Sequence, residues 1–186
     1  MRLPLVLIFL LLLSGESLAN SRERLQEANF APTHAFGQNT LERKNQSVLT
    51  YLWVDVYAAA FYAPNQISAS QAAAKSLTQR LELYYFRKID SQDVIKAAWV
   101  TLDRQYDAAT LARLRPEINA LHATFRDIRP GDRYALNAKT GSGLTLEVNG
   151  KVAYTSQDPE VAKAYLGIWL APDGLSDKLR SDLLAD

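Results

Sequence analysis

The run from Val48 to Tyr62, VLTYLWVDVYAAAFY, constrains the fold more than any other part of the chain. It is rich in β-branched and aromatic residues and holds neither glycine nor proline, so it reads as one long or bent strand, or as two. Pro64-Asn65 ends it. Alternation places Val48, Thr50, Leu52, Val54 and Val56 on one face and Leu49, Tyr51, Trp53, Asp55 and Tyr57 on the other. Both faces are largely apolar. The sheet that contains this run is therefore covered on two sides or lines a cavity.

The remaining elements follow from changes in hydrophobic period. Leu81–Lys88 (LELYYFRK) reads as a strand with Leu81, Leu83, Tyr85 and Arg87 on one face. Asp90 stands as an N-cap before a helix over about Gln92–Gln105, with Val94, Ala98 and Leu102 at helical spacing beside Ile95 and Trp99. Ala108–Phe125 repeats that spacing, although Pro116 is expected to start, kink or interrupt it. The period then becomes two: Tyr134, Leu136 and Ala138 alternate with polar residues, as do Leu144, Leu146 and Val148. Asn149-Gly150 is a type I′ hairpin signal leading into Lys151–Thr155. Asp158-Pro159 opens a helix with Val161, Tyr165, Ile168 and Trp169 as its apolar stripe, and Ser176 caps a short last helix through Leu184. Asn20–Asn39 shows no sustained period and reads as a leader segment or an irregular first strand. Strands, helices, strands, helices in that order imply an α+β domain with helices packed on an antiparallel sheet.

The first residues stand apart. Arg2, the apolar run Leu3–Leu13 and the small-residue site Ser17-Leu18-Ala19 have the form of a signal peptide, cleaved to leave residues 20–186 as a single domain. The apolar run is too short for a spanning helix, which needs roughly 20 residues. The mature chain is thus expected to be periplasmic, with no membrane span. The chain has no cysteine, which excludes disulfides, thiolate metal sites and a cysteine nucleophile. A net charge of +1 gives no electrostatic case for a nucleic-acid partner.

Four segments taken together resemble the chalcone isomerase-like family: Val56–Tyr62, Leu81–Ile89, Pro130-Gly131-Asp132, and Gly167-Ile168-Trp169-Leu170 ahead of Leu183-Leu184. The resemblance implies an open-faced β-sandwich, a curved antiparallel sheet with a layer of helices and an apolar cleft between them. It also implies one of three roles: cyclisation of chalcones, fatty-acid binding without catalysis, or the undefined role of exported bacterial members. In the plant isomerases a cleft-facing arginine near the start of the long strand accompanies a tyrosine followed by lysine three residues on and asparagine seven on. Gln105-Tyr106-Asp107 corresponds to the tyrosine segment, but the later positions are Ala109 and Arg113. The arginine position falls on Leu49 or near Asn45, with Arg43 and Lys44 out of register. The catalytic set is mostly absent, so a binding role is expected and any remaining catalysis would be that of a chalcone isomerase-like intramolecular lyase.

An apolar ligand with an acidic head needs an apolar cavity and one cation or a few hydroxyl donors. Arg87 is the candidate cation, since parity puts it beside Leu81, Leu83 and Tyr85; the alternative is an edge arginine, salt-bridged or solvated. Tyr85, Tyr57 and Tyr106 complete the candidate ligand set, Tyr57 by its match to a cleft-facing hydroxyl of the plant enzymes. A core tyrosine with its hydroxyl at the surface is the alternative for Tyr57. No catalytic residue, cofactor or metal is expected: His34 and His122 have no metal-ligand spacing, and no serine sits in a GxSxG setting. Trp99 and Trp169 read as core, and Gly141-Ser142-Gly143 as a hairpin turn. Two rival readings remain, an envelope interaction protein with an exposed aromatic patch and an isomerase or lyase on an unknown substrate.

Overall fold

The computed structural model describes residues 12–37 and 39–186. Most of the apolar run read as a signal peptide therefore lies outside the described residues, and Leu12–Ala19 form the first turns of a helix. In chain order the elements are α1 (Leu12–Ala28), β1 (Thr33–Phe36), β2 (Asn39–Tyr51), β3 (Val54–Pro64), α2 (Ala69–Ala74) and β4 (Gln79–Tyr85). They are followed by α3 (Ser91–Gln105), α4 (Ala108–His122), β5 (Arg133–Ala138), β6 (Leu144–Val148), β7 (Lys151–Ser156), α5 (Pro159–Leu170) and α6 (Asp177–Leu183). The seven strands form one curled antiparallel sheet in sequence order, each paired with its chain neighbours. Among the described residues no helix is long and apolar enough to cross a membrane.

The run Val48–Tyr62 is two strands folded back on each other, so the alternation expected straight through it is broken at its middle. Leu52 and Trp53 form the turn, with φ of +46° and +67°. Both are in the left-handed region, which costs an L-residue other than glycine or asparagine about 1–2 kcal/mol. The sequence lacks the usual turn residues there, which is why the reversal was not legible. A register shift between Leu49 and Thr50 makes Val56 the extra residue of a bulge, after which Leu49 pairs with Tyr57.

The two-sided sheet expected from this run is present. Phe61 and Tyr62 are adjacent, point to opposite faces and are both fully buried. The inner face carries Tyr57, Ala59, Phe61, Leu81, Leu83, Tyr134, Leu136 and Leu146 against the helices α3, α4 and α5. The outer face carries Ala58, Ala60, Tyr62 and Phe86 against Leu25, Ala28 and Phe30. Asn20–Ala28 is thus helical, where a leader or irregular strand was expected. Its weak periodicity suits a helix held by few anchors: Leu25 and Ala28 pack inward, and Asn20 and Arg24 bind the buried Asp55 carboxylate at 2.8 and 3.3 Å.

The helices follow their caps. Asp158 accepts a hydrogen bond from the Glu160 N–H (2.8 Å), Pro159 takes the first helical position, and α5 buries almost every apolar residue it has. It is the central helix, with α3, α4 and α6 packed around it. Asp90 takes the N-cap position of α3 without a capping bond, and Asp127 instead accepts from the Ser91 N–H at 3.1 Å. α4 runs through Pro116 without ending there. The Gly141-Ser142-Gly143 segment joins β5 to β6, and a Cβ on Gly143 would lie 1.9 Å from the Ser156 carbonyl oxygen, so only glycine fits.

Candidate functional site

Between the inner face of the sheet and the helical layer lies a cavity of about 420 Å³. Its floor is β2 to β6: Leu49, Val56, Tyr57, Leu83, Tyr85, Tyr134, Leu136 and Leu146. The bulge at Val56 explains why two successive residues, Val56 and Tyr57, both reach it. Its roof is α3, through Val94, Ala97 and Ala98, and α5, through Tyr165, Ile168 and Trp169. Small residues on α3 leave the space: Ala97 and Ala98 are too short to meet the strands below. Thr50, Tyr51, Asp93 and Ser176 supply most of the other polar groups in the lining.

Phenols dominate the polar part of the wall. Tyr57 and Tyr85 meet edge to face at 5.3 Å between ring centroids, and Tyr85 meets Tyr134 in the same way at 5.7 Å. The Tyr57 hydroxyl accepts a hydrogen bond from the Trp169 indole N–H at 2.9 Å. Tyr165 pairs with His122 Nε2 at 3.2 Å. The Tyr85 and Tyr134 hydroxyls make no hydrogen bond to a described residue, so their donor capacity is available to a guest. Burial raises the pKa of all four phenols; for Tyr85 the neighbouring oxygens of Tyr57, Tyr134 and Tyr165 add to it. They are neutral near pH 7, suited to hydrogen bonding and unsuited to removing a proton. Burial pushes His122 down to about 4, so it too is uncharged, beneath Trp99 and Phe125.

Of the four residues singled out from the sequence, the structure brings Tyr57 and Tyr85 together and separates the other two from them. β4 ends at Tyr85, and the chain bends at Phe86 and Arg87. The bend breaks the parity that placed Arg87 beside Tyr85: Phe86 is buried in the outer layer, while Arg87 is exposed and outside the cavity lining. Tyr106 is the C-cap of α3 and lines a separate depression between α2, α5 and α6, with its hydroxyl oxygen beside Gly167. Ala109 and Arg113 follow on α4, and Arg113 pairs with Glu160 on the surface. Tyr134 and Tyr165 were legible only as members of apolar stripes; alternation and helical spacing put them on the buried side without saying that it is hollow. Among the described residues no lysine, arginine or protonated histidine lines the cavity. Among the described residues no cluster of three His, Asp or Glu side chains is placed to hold a metal.

The outer face is built differently. Glu82, almost fully buried, accepts from Arg133 at 2.7 Å and from Arg80 at 3.1 Å, and lies 3.1 Å from His34. Arg80 also donates to Glu147 and Asn137, both at 2.8 Å. Arg133 reaches the Ala28 carbonyl at the end of α1 and stacks over Tyr84. These charges are mutually satisfied at bonding distance, and none of them lines the cavity of the inner face.

A family model described as chalcone isomerase-like matches residues 22–185. Among solved structures, the fold is similar to that of a fatty-acid binding protein of Arabidopsis thaliana, at 15% sequence identity and a TM-score of 0.62. The match covers 83% of this chain and 90% of that one. No curated protein matches the sequence.

Proposed function

The chain belongs to the chalcone isomerase-like family, and from that premise we propose that it is a non-enzymatic periplasmic protein that holds a fatty-acid-like or other apolar ligand in the cavity between sheet and helices. One observation carries the reading: a hollow of about 420 Å³, walled mainly by carbon, into which the unbonded Tyr85 and Tyr134 phenols project. Small-ligand sites run from roughly 300 to 1,000 Å³ and combine apolar walls with a few convergent polar groups. The fatty-acid binding neighbour with the same fold supports the ligand class.

The polar equipment narrows the head group. With no cation among the described residues of the lining and Asp93 at the wall, an ionised carboxylate would meet no charge partner inside. The phenols suit a neutral head instead, a hydroxyl or a protonated carboxyl, that gives and takes hydrogen bonds. A ligand that stays ionised keeps its head in solvent at the cavity mouth, because the Thr50 hydroxyl there is already committed to Asp55 at 2.7 Å. Catalysis by proton transfer has little to work with, because the phenols are raised and His122 is buried behind Tyr165. Removal of residues 1–19 and export place this binding in the periplasm on the strength of the N-terminal sequence alone.

Native mass spectrometry of the protein purified from periplasm, followed by denaturation and lipid extraction, tests the reading. A co-purifying apolar molecule whose retention falls with Tyr85→Phe and is unchanged by Arg87→Ala is the expected result. A clean protein that also fails to bind added fatty acids or fatty alcohols overturns it. A mature N-terminus other than Asn20 would overturn the proposed processing.

A further inference from the structure

Four of the six large apolar side chains exposed among the described residues are consecutive: Tyr51, Leu52, Trp53 and Val54. They form the tip of the β2–β3 hairpin, where Trp53 is 98% exposed and Leu52 73%. A second hairpin of the same sheet shows what such a turn ordinarily uses. Asn149-Gly150, between β6 and β7, has φ of +51° and +75°, close to the +46° and +67° of Leu52 and Trp53. Asparagine and glycine take that geometry readily, whereas leucine and tryptophan are strained in it. The tip therefore carries the residues least suited to the turn and most suited to an apolar contact outside the molecule.

The tip is continuous with the cavity. Thr50 and Tyr51 line the cavity, and Leu52 and Trp53 stand immediately beyond them. The N-terminal helix also bears on this end of the molecule. Arg133 holds the Ala28 carbonyl at one end of α1, and the helix runs from there to Asp55 at the foot of the hairpin, where Asn20 is bound. Tryptophan and tyrosine flanking aliphatic residues are the side chains favoured at the boundary between lipid headgroups and acyl chains. A bilayer is also the reservoir in which an apolar guest of the cavity would reside.

We propose that the Tyr51–Val54 tip docks into the interface of a lipid bilayer and sets the cavity mouth against the membrane surface. Tip docking is independent of the ligand; its use for loading rests on the ligand-binding reading above.

The test uses the protein purified from periplasm and phosphatidylcholine vesicles whose acyl chains are brominated either near the headgroup or near the bilayer centre. Tryptophan fluorescence is compared with that of Trp53→Phe, so that the difference reports Trp53 and not Trp99 or Trp169. Headgroup-proximal bromine is expected to quench Trp53 more than deep bromine. Leu52→Asn keeps the reporter and relaxes the turn, so it folds at least as well; the bound population of tips is expected to fall roughly tenfold. Absence of Trp53 quenching overturns the proposal, as does quenching that Leu52→Asn leaves unchanged. Concentration-dependent self-association lost in Leu52→Asn, without vesicle quenching, overturns it in favour of a second copy as the occupant. Displacement of a fluorescent fatty acid in vesicle-free buffer is measured in parallel. Displacement without Trp53 quenching sinks the docking alone, and quenching without any fatty-acid binding sinks the cavity reading alone.

Discussion

The two faces of the sheet bury comparable strands by opposite means. β4 shows it within seven residues: Leu81, Leu83 and Tyr85 point inward, the last two onto a hollow lined by no cation among the described residues, and Arg80 and Glu82 point outward into an ion network. A charge is tolerable in a buried layer only with partners at bonding distance, which requires close filling. Empty volume stays dry where its walls are mainly apolar. The faces therefore differ in construction, the outer one fixing α1 and β1 on the sheet and the inner one leaving a hollow.

The sharpest way to break this contrast is Glu82→Ala, which leaves Arg80 and Arg133 without their shared carboxylate. Urea unfolding is expected to show a loss of about 3–5 kcal/mol, the range for breaking a buried ion pair on one side; a loss below about 1 kcal/mol would mean that the outer network is not coupled.

A pH series separates the faces further. Burial holds His122 near 4 in the folded chain, against about 6.5 when unfolded, so the unfolded state takes up the proton first as pH falls. Its contribution is fully present above pH 6.5 and is lost between 6.5 and about 4, with a ceiling of roughly 1.4 kcal/mol per pH unit for one proton. His34 on the outer face is lowered in the same direction, by burial above all, with Glu82 pulling it back. Thermal melts of His122→Leu should lose acid sensitivity across that window; an unchanged pH profile would show that His122 is not responsible.

Filling the hollow is the third test. Ala98→Phe projects a ring from α3 into the cavity, and the affinity for an apolar ligand should fall tenfold or more, about 1.4 kcal/mol. Calorimetry that finds unchanged affinity in a folded variant would place the ligand elsewhere. The smallest expected effect is Tyr85→Phe. Its hydroxyl bonds no described residue, so unfolding should be unaffected while ligand affinity drops by about 1 kcal/mol, the worth of one hydrogen bond. A stability loss instead would mean that the phenol is structural.

Much of the architecture was readable residue by residue. Asp158-Pro159 marked the start of α5 and Asn149-Gly150 the β6–β7 turn, because caps and turn residues act over a few positions of chain. The two-sided burial of Val48–Tyr62 was readable from its composition, but its reversal was not, since Leu52 and Trp53 carry no turn signal. α1 was missed for a related reason: it is held by Arg24 and Asn20 on Asp55, more than thirty positions away, and not by a strong stripe of its own. In the site, Tyr57 and Tyr85 were found from strand pattern and family resemblance. Arg87 was misplaced because alternation was carried two residues past the end of its strand.

Local pattern thus determined which residues are buried, where most helices begin and that one sheet is covered on both sides, since these depend on side-chain chemistry and periods of 2 or 3.6 residues. Which covered face is hollow was decided by tertiary structure alone. That depends on how far Ala97 and Ala98 of α3 stand from Tyr85 and Leu83 of β4, and on a bulge that turns Val56 inward. Distances between elements distant in sequence are set by packing of the whole domain, so alternation can mark a tyrosine as inward-facing but cannot say whether it meets another side chain or an empty space.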